Sequence, residues 1–206
     1  MGGIANFTYL SGNLDANEVF ATDTGTGNTL IDAYVKLHFD LPYDEDAKIA
    51  SQGTVNTDLL STLKNNSFFK KAFPKTTGPE LFNLDYLLQA QKESTTENLT
   101  HPDVLATLCR FSAETISEAI IAFKSEAKII YYSGGGAHNP LIMNNLKDFL
   151  ADFEFKSTDI LGIAGDAKEA VLFATLANEA VAGGNTNFGT RQGIPSVSLG
   201  KISFVN

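Results

Sequence analysis

The chain has 206 residues, of which 43% are hydrophobic and 19% are charged, an ordinary composition for a globular protein with a sizeable core. A net charge of -9, with no cluster of Lys and Arg, argues against a surface that binds nucleic acid. The single cysteine, Cys109, excludes an internal disulfide.

The sequence shows no targeting or membrane signal. Met1–Leu10 has neither a basic start nor a long apolar core, and no run of about 18 apolar residues occurs. We therefore expect a cytoplasmic protein without a membrane span. Cys109 lies in an apolar-periodic run, which favours a small buried side chain over a nucleophile.

The first half of the chain predicts a pair of strands followed by helices. Strand-forming residues flank a turn-rich segment, and apolar residues then recur at helical spacing after a glycine-rich turn. The predicted elements are the strands Ile4–Leu10 and Val19–Thr24, the helix Asn28–Phe39, and the short helices Asn56–Lys64 and Leu81–Gln91.

The second half predicts a long helix and then a strand–glycine loop–helix unit. Pro102 lies in the first turn of the long helix, a position that tolerates proline. The predicted elements are the helix His101–Phe123, the strand Lys128–Tyr132, the helix Asn139–Leu150, the strand Phe153–Ile160, the helix Asp166–Ala182 and the strand Val197–Val205.

The segment Asp23–Asn28 is the first candidate site, because it joins a predicted strand to a predicted helix. Gly25 and Gly27 let the backbone turn sharply and let a ligand approach the peptide N–H groups. Asp23 is suited to act as a base or to bind a metal-bridged phosphate. The alternative is a plain turn in which Asp or Asn caps the helix.

The segment Ser133–Ala137 is the second candidate site. Its three consecutive glycines exclude side chains, which suits the ribose and phosphates of a nucleotide, although the segment matches neither a P-loop nor GxGxxG. The alternative is a tight loop between a strand and a helix. Two weaker features are the glycine pair of Met1–Asn6 and Glu169, whose alternative role is a surface position beside Lys168.

These features combine in an order that resembles the anhydro-N-acetylmuramic acid kinase family. The series is Gly2–Thr8, Asp23–Asn28 with Leu30–Ala33, Lys75–Gly78 with Glu80–Asn83, Ala106–Leu108, Gly134–Asn139, and Glu169–Ala170 with Phe173–Ala174. It spans nearly the whole chain. Each motif alone is modest, but six in the same order are not expected by chance.

The resemblance implies an α/β fold, the C-terminal lobe of an actin-like (ribonuclease H-like) ATPase, with a mixed sheet flanked by helices. It implies that Asp23 is the catalytic aspartate and that Glu169 lies near the sugar. It also implies that nucleotide is bound by a phosphate hairpin, a glycine turn and an adenosine loop. These cofactor-binding residues are Gly2, Gly3, Asn6, Gly25, Gly27, Asn28, Gly134, Gly135, Gly136 and Ala137.

The family reaction uses ATP and Mg²⁺ on an amino sugar. Water opens the anhydro bridge of 1,6-anhydro-N-acetylmuramic acid, and the freed O6 takes the γ-phosphate, giving N-acetylmuramic acid 6-phosphate in cell-wall recycling. Such chemistry needs a carboxylate that accepts the proton of water. It also needs groups that offset phosphate charge.

The sequence departs from the family in ways that matter for activity. The first phosphate loop and the N-terminal lobe that carries it are absent, so residues 1–206 are expected to be one lobe, inactive alone but able to bind nucleotide weakly. Thr26 stands where the family has proline, and the family's Thr-Gly-Ala continuation is missing after Ile194–Val197. The alternative is a non-catalytic relative that binds nucleotide or a partner. Another sugar or acetate kinase of the superfamily is disfavoured by the contexts of Asp23 and Glu169 and by the segment Lys75–Asn83. Partners could be the missing lobe or a second copy in a homodimer.

Overall fold

The chain folds into helices and short strands, which confirms the α/β class. The computed structural model describes residues 1–13, 15–123, 126, 128–183, 200 and 202–203. Its helices and strands are β1 (Ile4–Tyr9), β2 (Phe20–Thr26), α1 (Thr29–Phe39), α2 (Thr57–Lys64), α3 (Leu84–Glu93), α4 (His101–Ala122), β3 (Ile129–Tyr132), α5 (Pro140–Phe149), β4 (Glu154–Ser157) and α6 (Lys168–Val181). Six of the nine residues of the predicted strand Val197–Val205 lie outside the described residues.

The strands pair as two separate two-stranded sheets in the described part of the chain, where a single mixed sheet was predicted. β1 and β2 form an antiparallel hairpin that runs from the pair Ile4 and Thr26 to the pair Tyr9 and Phe20. β3 and β4 are parallel neighbours. In the described part of the chain, β1 and β3 therefore each have a single strand partner.

A groove of about 640 Å³ separates the two sheets. Consecutive residues of β1 and of β3 line its two sides, so strand edges face it. Its floor is apolar and includes Ile116 and Ile120 of α4 and Met143 and Leu146 of α5. Because this space lies between the edges, the backbone groups of β1 and β3 do not pair with each other.

α4 is the central helix of the core. Thr100 Oγ1 accepts a hydrogen bond from the Asp103 amide at 3.3 Å and so caps its start. Phe111 of α4 is fully buried and joins a cluster of aromatic rings with Phe68, Phe69 and Phe82. Burying such a side chain contributes about 1.5–3 kcal/mol to the free energy of unfolding.

Cys109 on the same helix is buried, as predicted. Burial raises the pKa of its thiol to about 12. Asn139 Nδ2 lies 3.5 Å from the sulfur. A thiol that stays protonated inside the core is a packing group and not a nucleophile.

Asparagine caps set several helix starts close to their predicted positions. The Asn83 Oδ1 accepts from the Tyr86 amide at 3.1 Å, so α3 begins at Leu84 and not at Leu81. The strand predicted as Phe153–Ile160 is shorter, because Ser157 Oγ accepts from the Asp159 amide at 3.1 Å and starts a 3₁₀ turn.

Among the described helices, none combines the length and the apolar character that crossing a membrane requires.

Candidate functional site

The backbone just before β1 is hydrogen-bonded to the backbone just after β2. The amides of Gly27 and Thr29 donate to the Gly3 carbonyl at 2.8 and 3.0 Å, and the Asn28 amide donates to the Gly2 carbonyl at 3.0 Å. A Cβ at Gly27 would lie 2.1 Å from the Gly2 carbonyl oxygen. The close approach predicted for a ligand at Gly27 is thus made by the chain's own backbone.

Ser112 of α4 supports this turn from inside the core. Its hydroxyl donates to the Gly27 carbonyl at 2.7 Å and lies 3.1 Å from Thr26 Oγ1. Ser112 is almost fully buried, so these bonds are shielded from water. Sequence reasoning missed Ser112, because nothing in the helical pattern indicates which turn a buried serine reaches.

The glycine loop after β3 packs against Met1. The Gly136 amide donates to the Met1 carbonyl at 3.0 Å. Gly134 has φ = +89°, and a Cβ there would lie 2.6 Å from the Met1 carbonyl oxygen. At Gly135, by contrast, the nearest atom to a Cβ would be Asn28 Nδ2 at 3.9 Å. Space for a ligand was predicted along the whole glycine loop. Of its three glycines, Gly135 is the one at which the structure leaves that space.

Asn28 lies where the two glycine-rich segments meet. Its Oδ1 is buried and has no hydrogen-bond partner in the described part of the chain, and its side chain makes no cap bond to α1. An unpaired buried acceptor costs about 1–3 kcal/mol unless a donor reaches it. The Asn28 atom nearest to the space at Gly135 is Nδ2, a donor that suits the ring nitrogens and ribose oxygens of a nucleoside, so Asn28 and Gly135 fit that part of ATP.

The Asp23 carboxylate is held by the segment after Pro74. Thr76 Oγ1 and the Thr77 amide each donate to Asp23 Oδ2 at 2.9 Å. The Asp23 amide donates to the Lys75 carbonyl at 2.9 Å. Asn6 lies opposite Asp23 across the hairpin. The alternative that Asp23 serves as the cap of α1 is wrong, because its carboxylate is engaged elsewhere.

Gly25 faces the core of the protein. Its φ is +140°, and a Cβ there would lie 3.1 Å from the ring of Phe69 and 3.4 Å from Thr115 Oγ1. Backbone conformation and core packing are sufficient to require glycine at this position. The predicted contact between Gly25 and the nucleotide stays a prediction.

Glu169 is exposed in the first turn of α6. No hydrogen bond or ion pair joins it to Asp23 among the described residues. The neighbouring Lys168 donates to Ser133 Oγ at 2.9 Å and so links the start of α6 to the glycine loop. The structure thus brings the glycine segments together, holds Asp23 with Asn6 on the hairpin, and leaves the predicted pairing of Asp23 with Glu169 a prediction.

Asp32, one turn after Asn28 on α1, is a partly buried carboxyl that sequence reasoning did not single out. Burial raises its pKa from 3.8 to about 6. The folded state therefore binds this proton more tightly than the unfolded state does. Its contribution to stability is fully present below about pH 4 and is lost as the pH rises through about 6.

We expect Asp32→Asn to stabilise the protein at pH 8 by about 1 kcal/mol, after allowance for the partial exposure of the group, and to give no gain at pH 4. Urea unfolding between pH 4 and pH 8 measures the effect. Asp148→Asn removes the same charge at an exposed position on α5 and is the matched control. Equal effects of the two variants at every pH would contradict the assignment to burial.

Known proteins match this chain along nearly its whole length. A sequence profile described as anhydro-N-acetylmuramic acid kinase matches residues 1–204. Proteins of that name are 54% identical in Pseudoalteromonas atlantica (99% of this chain, 52% of the relative) and 49% identical in Pseudoalteromonas translucida (100% and 53%). The Vibrio cholerae protein of that name is 39% identical, over 99% of this chain and 54% of its own length. The chain spans about half the length of the curated relatives it matches.

Proposed function

The chain belongs to the anhydro-N-acetylmuramic acid kinase family, and we propose that it supplies the nucleotide loops and the catalytic carboxylate of an ATP-dependent kinase that acts on 1,6-anhydro-N-acetylmuramic acid. The observation that carries this proposal is the meeting of the two glycine-rich segments at Asn28 and Gly135, within a family match that covers residues 1–204. The cytoplasm, where ATP is available, is its proposed location.

In the proposed reaction Asp23 accepts a proton from the water that attacks the anomeric carbon. The bond between that carbon and the bridging oxygen breaks and frees O6. O6 then attacks the γ-phosphorus of ATP, the bond from that phosphorus to the β,γ-bridging oxygen breaks, and ADP leaves together with N-acetylmuramic acid 6-phosphate. Thr76 and Thr77 occupy Asp23 Oδ2, so Oδ1 is the oxygen left to face water. Glu169 has a supporting role near the sugar in this proposal.

The nucleoside part of ATP is assigned to the loop Gly134–Ala137. Gly135 leaves room there, and Asn28 Nδ2 supplies a donor beside that space. Gly2, Gly3 and Gly27 shape the turn beside it. Mg²⁺ bound with ATP would offset the phosphate charge.

The groove between the sheets supports the finer, ribonuclease H-like description of the fold. Met1 N donates to the Ser133 carbonyl oxygen at 2.6 Å, so the backbone just before β1 lies beside the end of β3. One strand in the groove that hydrogen-bonds to the edges of both β1 and β3 would join the two sheets into a single mixed sheet. Its apolar floor suits such a buried strand.

The proposed source of this strand is the other lobe of the kinase. That lobe is the partner that the chain needs for turnover, because transfer requires phosphate contacts from both sides of a cleft. For a homodimer, the other partner considered from the sequence, the exposed Leu172 and Phe173 of α6 are the surface that a second copy would cover.

The experiment compares the 206-residue chain with a fused kinase, in which the chain is joined to the half of the P. atlantica relative that it does not match. We expect the chain alone to give no product with MgATP and 1,6-anhydro-N-acetylmuramic acid, and the fused kinase to give N-acetylmuramic acid 6-phosphate.

The backbone amides at the edges of β1 and β3 should exchange hydrogen more slowly in the fused kinase than in the chain alone. Turnover by the chain alone would remove the need for the partner. A fused kinase that is folded and binds ATP but makes no product would support a non-catalytic relative instead.

A further inference from the structure

We propose that Thr76 and the Thr77 amide form a positioning device that fixes the Asp23 carboxylate, with Oδ2 held by two donors and Oδ1 left open to accept a proton. This inference rests on the proposed function, in which Asp23 is the base. No role for either threonine follows from the sequence, since they are separated from Asp23 by 53 and 54 residues.

Both donors to the Asp23 carboxylate reach the same oxygen. The Thr76 hydroxyl and the Thr77 amide both donate to Oδ2 at 2.9 Å. In the part of the chain that the structure describes, no donor reaches Oδ1. Two donors on one oxygen restrict rotation about the bond to the carboxylate, so the free oxygen is presented in one direction. A base held in this way loses little entropy when it takes a proton.

The device is anchored by backbone pairing with β2. The Asp23 amide donates to the Lys75 carbonyl at 2.9 Å, and the Lys75 amide donates to Thr22 Oγ1 at 3.0 Å. Thr22 is only 3% exposed, so this second bond is protected from water. The threonines are therefore carried by a segment that is fixed to the same strand as the carboxylate.

Lys75 is turned away from the carboxylate that its own backbone anchors. Its Nζ donates to the carbonyls of Phe68 and Phe69 at 3.1 and 3.2 Å and lies 4.5 Å from the centre of the Phe68 ring. Burial, and then the charge of Lys71, lower the pKa of Lys75. Among the described residues, the donors that reach the Asp23 carboxylate are neutral, and the nearby ammonium group of Lys75 is bonded elsewhere.

Thr77 provides a matched control within the same turn. Its amide donates to Asp23, but its Oγ1 is buried and has no hydrogen-bond partner in the described residues. Thr76→Val and Thr77→Val remove the same hydroxyl group from neighbouring residues and change the shape in the same way. Only Thr76→Val removes a donor from Asp23.

The first test uses the 206-residue chain itself. If the two donors fix the carboxylate, NMR coupling constants should show a single Asp23 side-chain rotamer. Thr76→Val should give averaging among Asp23 rotamers, while Thr76→Ser and Thr77→Val should keep the single rotamer of the parent. Equal couplings in Thr76→Val and the parent, or equal averaging in Thr77→Val, would overturn the proposal.

The second test uses the fused kinase. Thr76→Val should lower kcat by about tenfold with KM unchanged, and Thr76→Ser should restore kcat. Full kcat in Thr76→Val would overturn the proposal. If the parent fused kinase makes no product, the proposed function fails, while the NMR couplings still decide whether Thr76 positions Asp23.

Discussion

Asp23→Asn is expected to lower kcat of the fused kinase by at least about 100-fold, with KM for ATP and for the sugar within about twofold of the parent, because a positioned general base contributes about 10²–10⁴-fold in rate. Asparagine keeps an oxygen that can accept from Thr76 and from the Thr77 amide. It cannot take up the proton of water. Steady-state kinetics with 1,6-anhydro-N-acetylmuramic acid and MgATP measure the loss.

The controls separate catalysis from folding. Glu169→Gln should cost less than Asp23→Asn, since Glu169 is exposed and no hydrogen bond joins it to Asp23 among the described residues. Urea unfolding of both variants should stay close to the parent. A folded Asp23→Asn kinase with near-normal turnover would refute the catalytic role and reduce Asp23 to a structural link between β2 and the segment Lys75–Thr77.

Local signals in the sequence were sufficient for most of the fold. His101, Pro102 and Asp103 correctly placed the start of α4, because capping and the fixed φ of proline act within one turn. The hairpin followed from two strand-like runs and the turns between them. The joining of the strands into one sheet did not follow, because the space between the edges of β1 and β3 depends on how distant segments pack.

The candidate site was predictable in its residues more than in its contacts. Gly27 and Gly134 were singled out for a ligand, yet each is required by a close approach of the chain's own backbone. A glycine has the same signature in a sequence whether the neighbour is a nucleotide or a carbonyl. The hydrogen bond from Thr76 to Asp23 could not be predicted either, because side-chain pairing across 53 residues leaves no local pattern in the sequence.

Gly135→Leu is expected to abolish nucleotide binding, lowering affinity by at least about 100-fold, while the free energy of unfolding changes by less than about 0.5 kcal/mol. The structure separates these two effects at this residue. Nothing lies within 3.9 Å of a Cβ at Gly135, and its φ is outside the left-handed region, so the folded chain accepts a side chain. The same space is the one assigned to the nucleoside, and a leucine would fill it.

The neighbouring positions make the test specific. A side chain at Gly134 meets both φ = +89° and the Met1 carbonyl at 2.6 Å, so Gly134→Leu should unfold or distort the loop and lose binding for that reason. Ala151→Leu adds the same side chain at an exposed site just after α5 and should change neither property. Calorimetry with ATP, or NMR titration where binding by the chain is weak, compares the three variants. Affinity retained in a folded Gly135→Leu chain would place the nucleotide elsewhere.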